Sequence, residues 1–456
     1  MNRWENTLHR KKYHVGVAVC ALACALSHTA SAGGTDNNSL SWNGITLYGT
    51  VDIGVAYQSH GAPLSQDMYT GVAYLITKNS NRSITSVASN GLSQSKIGLK
   101  GTESLGGDLH FVFNLESGFN PESGRLSDAL AALVHNNGVA QTHQTTGADG
   151  SRAGQLFNGP AYAGLSSSSL GTLTLGRHNT FLTDAVTKYD PLAASYAFSV
   201  LGASGTTAGG GNTQDVRLDD SVKYSYAWRN LHGGALYQFG HSDSSPGKAV
   251  QWDLGGEFGG FAFDALYAYK HQAMLAASLS AAQLATPGVP HDSLAATVSD
   301  NRSYALTASY RLDDAWKFSG GYERITYANP SHPLAAGFSA LGDYFISFVN
   351  NAAYNHQKVL KVNWLGTNYR LSDMLMLTAA WYHYDQNSYA GNGCSNRSSS
   401  ACSGSLDAYS AVLDYRFNKR FDTYGGIMYS KVAGGLSSGY LFNSNFSPMI
   451  GFRVQF

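Results

Sequence analysis

Period-two alternation limits this chain more than any other feature. From residue 45 to the C-terminus, segments of about ten residues place apolar and small or polar side chains on opposite parities. Such alternation marks a strand with two unlike faces. Sixteen segments read this way: 45–58, 95–105, 109–120, 161–168, 172–180, 220–228, 231–240, 249–258, 261–270, 303–312, 316–329, 356–371, 374–387, 406–417, 421–432 and 444–456. Their connections fall into two kinds that take turns. Short ones (Gly106-Gly107-Asp108, around Ser169, Arg229-Asn230, Gly259-Gly260, Asp313-Asp314-Ala315, Ser372-Asp373, Asn418-Lys419-Arg420) alternate with long ones (59–94, 121–160, 181–219, 241–248, 271–302, 330–355, 388–405, 433–443). An antiparallel up-and-down barrel puts every second connection at the same end, and membrane barrels keep one end short and the other long. A sandwich or a propeller has no reason to obey that rule.

Parity also decides which face meets lipid. Leu109, Phe111, Phe113 and Leu115 share one face, and His110, Asn114 and Glu116 the other. Phe261, Phe263, Ala265, Tyr267 and Tyr269 oppose Asp264 and Lys270, while Ile450, Phe452, Val454 and Phe456 oppose Gly451, Arg453 and Gln455. A Lys or Arg at the lipid midplane costs roughly 2–4 kcal/mol, so the charged face belongs to the lumen. Sixteen strands leave an aqueous channel, where eight would be filled by side chains. Composition agrees: charged residues are 13%, against about 25% in soluble domains. The 51 Gly and 28 Tyr suit an all-β protein with an aromatic surface. The 30 basic and 30 acidic residues balance, which argues against a nucleic-acid partner.

The N-terminus reads as a targeting segment. Arg3, Arg10, Lys11 and Lys12 precede an apolar run, Val15–Leu26, and then Ala30-Ser31-Ala32. This is the plan of a signal peptide over 1–32, leaving a barrel domain over 33–456. A lipoprotein signal would use Cys24, but Ala21 stands where a Leu is usual. Cys394 and Cys402, eight apart in an exported loop, predict a disulfide. The alternative is two free thiols, and a zinc pair would need further ligands nearby.

The longest unpatterned connections invite a functional reading. The third, 181–219, carries Asp184, Lys188, Asp190, Pro191, the run 209–211 of three glycines, and Asp215. Facing it by parity are the wall bases Lys96, Lys100 and Lys223. Arg177 falls on the apolar parity and needs a bulge or a place above the membrane belt. Acids on a loop opposite bases on a wall would set a transverse field at a pore constriction. The bland alternative for each residue is a solvated lumen charge. Asp52, Asp253, Glu257, Glu323, Asp414, Arg416 and Arg453 also take lumen parity, as does Glu116. The His residues, among them His143, His178, His232 and His383, form no metal-binding spacing, and no Gly-x-Ser-x-Gly elbow or phosphate loop is present. No catalytic constellation and no cofactor site is expected.

Several stretches resemble a known family. Ile45–Asp52 reads ITLYGTVD, Ser95–Gly106 reads SKIGLKGTESLG, and Phe113–Phe119 reads FNLESGF. Gly171–Arg177 reads GTLTLGR, Tyr415–Arg420 reads YRFNKR, and the chain ends in Phe456. In this order they resemble the Gram-negative general porins of β-proteobacterial type. The resemblance implies a homotrimer of sixteen-stranded outer-membrane barrels among lipid and lipopolysaccharide. It also implies diffusion of ions and small hydrophilic solutes, a third loop folded into the lumen, and a terminal Phe456 read by the assembly machinery. The chain departs at Asn158–Leu165 (NGPAYAGL), which lacks a basic residue before the Ala-aromatic pair. It also has Lys96 and Lys100 where several members carry arginines. Pro160 predicts that the fourth strand starts after it. The rival readings are a substrate-selective channel using Tyr48 and Tyr162 in its lumen, and a barrel that anchors an enzyme or adhesin.

Overall fold

The computed structural model describes residues 40–67, 74–146, 151–203, 216–240, 247–340 and 342–456. The proposed leader 1–32, the glycine run 209–211 and Asp215 lie outside the described residues. Sixteen strands form the wall: β1 (Ile45–Gly61), β2 (Lys96–Gly106), β3 (Leu109–Asn120), β4 (Ala161–Ser167), β5 (Gly171–Asn179), β6 (Arg217–Trp228), β7 (Leu231–Gln238) and β8 (Ala249–Phe258). They continue as β9 (Phe261–Ala277), β10 (Leu294–Arg311), β11 (Trp316–Ala328), β12 (Lys358–Arg370), β13 (Leu375–Gln386), β14 (Gly404–Arg416), β15 (Phe421–Gly434) and β16 (Ser444–Gln455). Each pairs antiparallel with the next, and β16 returns to β1 from Thr50↔Gln455 to Ala56↔Met449. The barrel is therefore closed. Phe456 tightens the seam, exchanging backbone hydrogen bonds with Gly49 at 2.9 and 3.1 Å.

Alternation in sequence becomes two surfaces in space. Trp252, Leu254, Leu306, Leu365 and Ile450 are exposed on the outer face, whereas the inward-facing Gln251, Thr307 and Asp264 are buried. β4 begins at Ala161, directly after Pro160, whose missing N–H would have broken the ladder. β9 and β10 run longer than the alternation predicts, to Ala277 and from Leu294. Their extra length packs Met274, Leu294, Ala296 and Val298 against loop residues, including Leu130 of α1 (Ala129–His135). There the alternation that marks a lipid-facing strand is not required. Cys394 and Cys402 are bonded to each other, with Cα atoms 4.7 Å apart.

The first long connection holds a further strand, Arg82–Ser89, which pairs with the upper half of β1 where β2 no longer reaches. The chain then turns inward at Asn90, whose φ is +62°. Asp52 organises this turn. Its carboxylate accepts from the N–H groups of Gly91, Leu92 and Ser93 (3.1, 2.9 and 2.9 Å) and from Tyr424 Oη (2.6 Å). Asp52 is fully buried, so it is not the lumen charge its parity suggested. Glu323, equally buried beside Ser303, is not one either.

The third long connection lies inside the barrel. It opens with α2 (Phe181–Tyr189), capped by Thr180, whose side chain accepts from Thr183 N–H. Phe181, Leu182, Ala185 and Tyr189 pack on Leu218, Leu236, Ala249, Leu266 and Ala305 of β6 to β10. The following residues, Leu192 to Leu201, pack on Val362, Trp364, Ala380, Tyr382, Val412, Tyr424 and Met428 of β12 to β15. The inner face of these strands is thus apolar because a loop, not water, covers it. Each fully buried apolar side chain contributes about 1.5–3 kcal/mol. An ion pair with an exposed partner contributes under about 1 kcal/mol. Packing therefore fixes the loop, and its charges are left to set the field. Phe198→Ala removes a fully buried ring at a cost of about 3–5 kcal/mol. The expected outcome is faster proteolysis within the inward loop, while the barrel still migrates as a folded species on unheated gels.

Candidate pore constriction

With the inward loop laid over β6 to β15, open space remains beside β1 to β5. A cavity of about 470 Å³ lies between that wall and α2, with Tyr48, Lys96, Lys100, Asn114, Glu116, Thr183 and Thr187 among its lining residues. It shares Lys100 and Asn114 with a second cavity that reaches Asp184 and Lys223. These lead to a third, at the short-turn end, lined by Lys188, His232, Asp253 and Asp264. The three trace a polar path through the lumen.

The wall side of the path is built on facing inward positions. The pairs Thr50↔Lys96, Tyr48↔Gly98 and Thr46↔Lys100 put Tyr48 between two lysines, over a residue with no side chain. Lys96 Nζ lies 2.7 Å from Glu116 Oε2, and Lys100 Nζ lies 5.4 Å from the centre of the Tyr48 ring. Tyr48 Oη donates to Asn114 Oδ1 at 2.7 Å. A Cβ at Gly98 would collide with the Tyr48 ring, so the glycine makes room for this arrangement. On the loop side, Asp184 in the first turn of α2 meets Lys223 Nζ at 2.6 Å, and Lys223 also donates to the Asn179 carbonyl at 3.0 Å. This pair ties the loop to the wall that it packs on, at one side of the path.

The other sequence candidates sit elsewhere. Asp190 ends α2 and is only 4% exposed. It accepts from Tyr382 Oη (2.7 Å) and from the N–H groups of Leu192 and Ala194 (3.3 and 2.8 Å). Burial pushes its carboxyl above the usual range, against the pull of those donors. Asp190 anchors the loop at a turn where Ala193 and Ala194 hold φ of +51° and +56°; it does not face the path. Arg177 sits at a bulge between β5 and β6, as its parity required. Its guanidinium is held by the Ser151, Asn158 and Gly159 carbonyls and by Asp219, and it does not line the cavities.

Two lining bases were not legible in the sequence. Arg152 and Arg217 join Lys96 and Lys100 around the first cavity, where Glu116 is the single acid among the described lining residues. Arg152 belongs to the second long connection, where strand parity gives no information. Arg217 falls in the connection 181–219 of the sequence reading, three residues before the segment 220–228, whereas in the structure it is the first residue of β6. Among the described residues, one set of metal-capable donors comes together, at His232, Asp253 and Asp264. It lies at the short-turn end, apart from the constriction.

The sequence model of the family described as Gram-negative porin matches residues 16–435. The chain belongs to the Gram-negative porin family. It is accordingly a channel-type barrel of the outer membrane and not an enzyme. The porin is 28% identical to an outer membrane porin protein of Bordetella pertussis over 205 residues, which is 44% of this chain and 43% of that protein. The match thus spans less than half of that relative. Its fold is similar to that of an anion-selective porin from Comamonas acidovorans, with a TM-score of 0.59 and 17% identity over 90% of this chain and 99% of that one. It is also similar to OmpT of Vibrio cholerae, solved in a trimer form, with a TM-score of 0.53 and 13% identity over 90% and 99% of the two chains. At these identities the two structures speak for the barrel alone.

The short turns of this porin lie on the periplasmic side and the long loops outside, as in other membrane barrels. Replacing Lys96 and Lys100 together by Glu is expected to move the reversal potential in a KCl gradient toward cation preference. An unchanged reversal potential would remove both residues from ion selection.

Proposed function

We propose that this porin is a water-filled pore through which ions and small hydrophilic solutes diffuse passively, with mild preference for anions. One observation carries the reading. The inward loop seals the apolar part of the wall and leaves a path lined at its narrow part by four bases and one acid. Low-dielectric walls focus the field of such charges into the path. Arg152 and Arg217 contribute although nearly buried, because a buried charge is less screened than an exposed one. Tyr48 and Tyr162, which line the path, support a second reading, in which aromatic or planar anionic solutes pass preferentially.

Residues 1–32 are proposed to be a cleaved export signal, with Phe456 as the mark read during outer-membrane assembly. A homotrimer is proposed through the outer faces of β1, β4, β5 and β16. There Val55, Leu165, Leu173, Leu175 and Ile450 give an exposed aliphatic surface. Toward the loop end of β10 to β15, outward Arg302, Lys361 and Lys431 lie above aromatic residues such as Tyr304, Trp381 and Tyr429, which supports contact with phosphorylated lipid headgroups. The test is planar-bilayer conductance of the refolded chain from about residue 33 in symmetric KCl. Stable ohmic steps that close in thirds are expected. Correctly folded protein without conductance would overturn the open-pore reading.

A further inference from the structure

We propose that the periplasmic vestibule of the pore holds a site for a divalent transition-metal ion of the zinc type, made by His232, Asp253 and Asp264. The three side chains come from adjacent strands, β7, β8 and β9, and point into the lumen. Their spacing in sequence shows nothing, because the strand register brings them together. His232 stands opposite Gly255, and Gly255 stands opposite Asp264. Imidazole and carboxylate therefore meet over a residue without a side chain. A Cβ at position 255 would collide with both His232 Nε2 and Asp264 Oδ1. The glycine keeps open the space where the donors converge.

The donor atoms of the three residues all lie within 4.8 Å of one another. His232 Nε2 is hydrogen-bonded to Asp264 Oδ1 and lies 4.0 Å from Asp253 Oδ2. Asp253 Oδ1 is buried and has no hydrogen-bond partner among the described residues. A buried carboxylate oxygen left without a donor is costly, and a cation would satisfy it. Charge counts in the same direction. Lys188 Nζ lies 2.9 Å from Glu257 Oε1 and 3.5 Å from Asp264 Oδ2. Lys188 pairs with two of the three carboxylates here, Asp253 being the third, and three carboxylates against one ammonium leave an excess equal to the charge of one divalent ion when the imidazole is neutral. The neighbouring Lys223 is already matched by Asp184.

One imidazole nitrogen and two carboxylate oxygens, with a fourth position open to lumen water, suit Zn²⁺. Mg²⁺ and Ca²⁺ prefer all-oxygen shells. Lys188 holds the second oxygen of Asp264 and so orients that ligand, the part an outer-shell group plays at metal centres. In the ligated form the neutral imidazole carries its proton on Nδ1, and the ion stands between His232 Nε2 and Asp264 Oδ1 in place of their hydrogen bond.

The test is Zn²⁺ titration of the refolded porin by competition with a chromophoric chelator, a readout independent of whether the channel conducts. One ion per chain is expected, with no competition from Mg²⁺. Affinity should fall about tenfold or more in His232→Ala and in Asp253→Asn, while outward His383→Ala is unchanged. Failure to bind Zn²⁺, or equal affinity in the folded His232→Ala variant, would overturn the site and leave His232–Asp264 as a structural hydrogen bond. Should the variants not fold, X-ray absorption of the Zn²⁺-loaded unmutated porin decides. A single imidazole with oxygen donors supports the site, and an all-oxygen or multi-imidazole shell overturns it.

Discussion

A strand that crosses lipid has no water to satisfy its backbone, so every N–H and C=O must find a partner within the wall. The seam between β1 and β16 is where this condition is met or lost. Seven facing pairs, from Thr50↔Gln455 to Ala56↔Met449, close it. The bonds between Phe456 and Gly49 extend the ladder to the last residue. Closure removes the sheet edges and fixes which parity faces outward on every strand. The lipid belt and the lumen follow from that single condition.

A closed sixteen-stranded wall encloses more space than its own side chains fill. Here the space is divided unequally. α2 and the residues after it cover the interior from β6 to β15, and the inner face there is largely apolar. The buried turn at Asp52 supports the same loop from the other side, since the Gly91 carbonyl accepts from Ala197 N–H and Ser195 Oγ. What remains for water is a strip along β1 to β5, rich in hydroxyls, amides and lysines, that widens at the short-turn end toward β7 to β9. The narrowness of the pore is thus a packing result. Its electrostatic character comes from the few charges that packing leaves uncovered.

Those charges also differ along the path. Bases dominate beside α2, and carboxylates gather near the periplasmic turns around His232. A solute that crosses the narrow part leaves or enters through a more acidic vestibule. A divalent ion seated there would reduce that contrast, which links the inferred site to permeation through charge alone.

Much of this was legible in the sequence. Alternation, the two kinds of connection and the penalty for charge in lipid determine an all-β closed barrel of sixteen strands, with lysines 96, 100 and 223 turned inward. These are local facts, set by the pleat of each strand. Parity failed where a residue's surroundings come from distant chain. Asp52 and Glu323 share the parity of pore charges yet are buried, one by backbone donors of a folded-back turn and the other inside the wall. Asp190 belongs to a turn anchored by Tyr382, and Arg152 reaches the path from a loop that has no period to read. β12 and β13 carry apolar side chains on the inner face (Leu360, Val362, Trp364, Ala380 and Tyr382), and only the loop packed there explains why. Gathering His232, Asp253 and Asp264 needed a register between three strands, which hydrogen bonding across the sheet fixes and spacing along the chain does not.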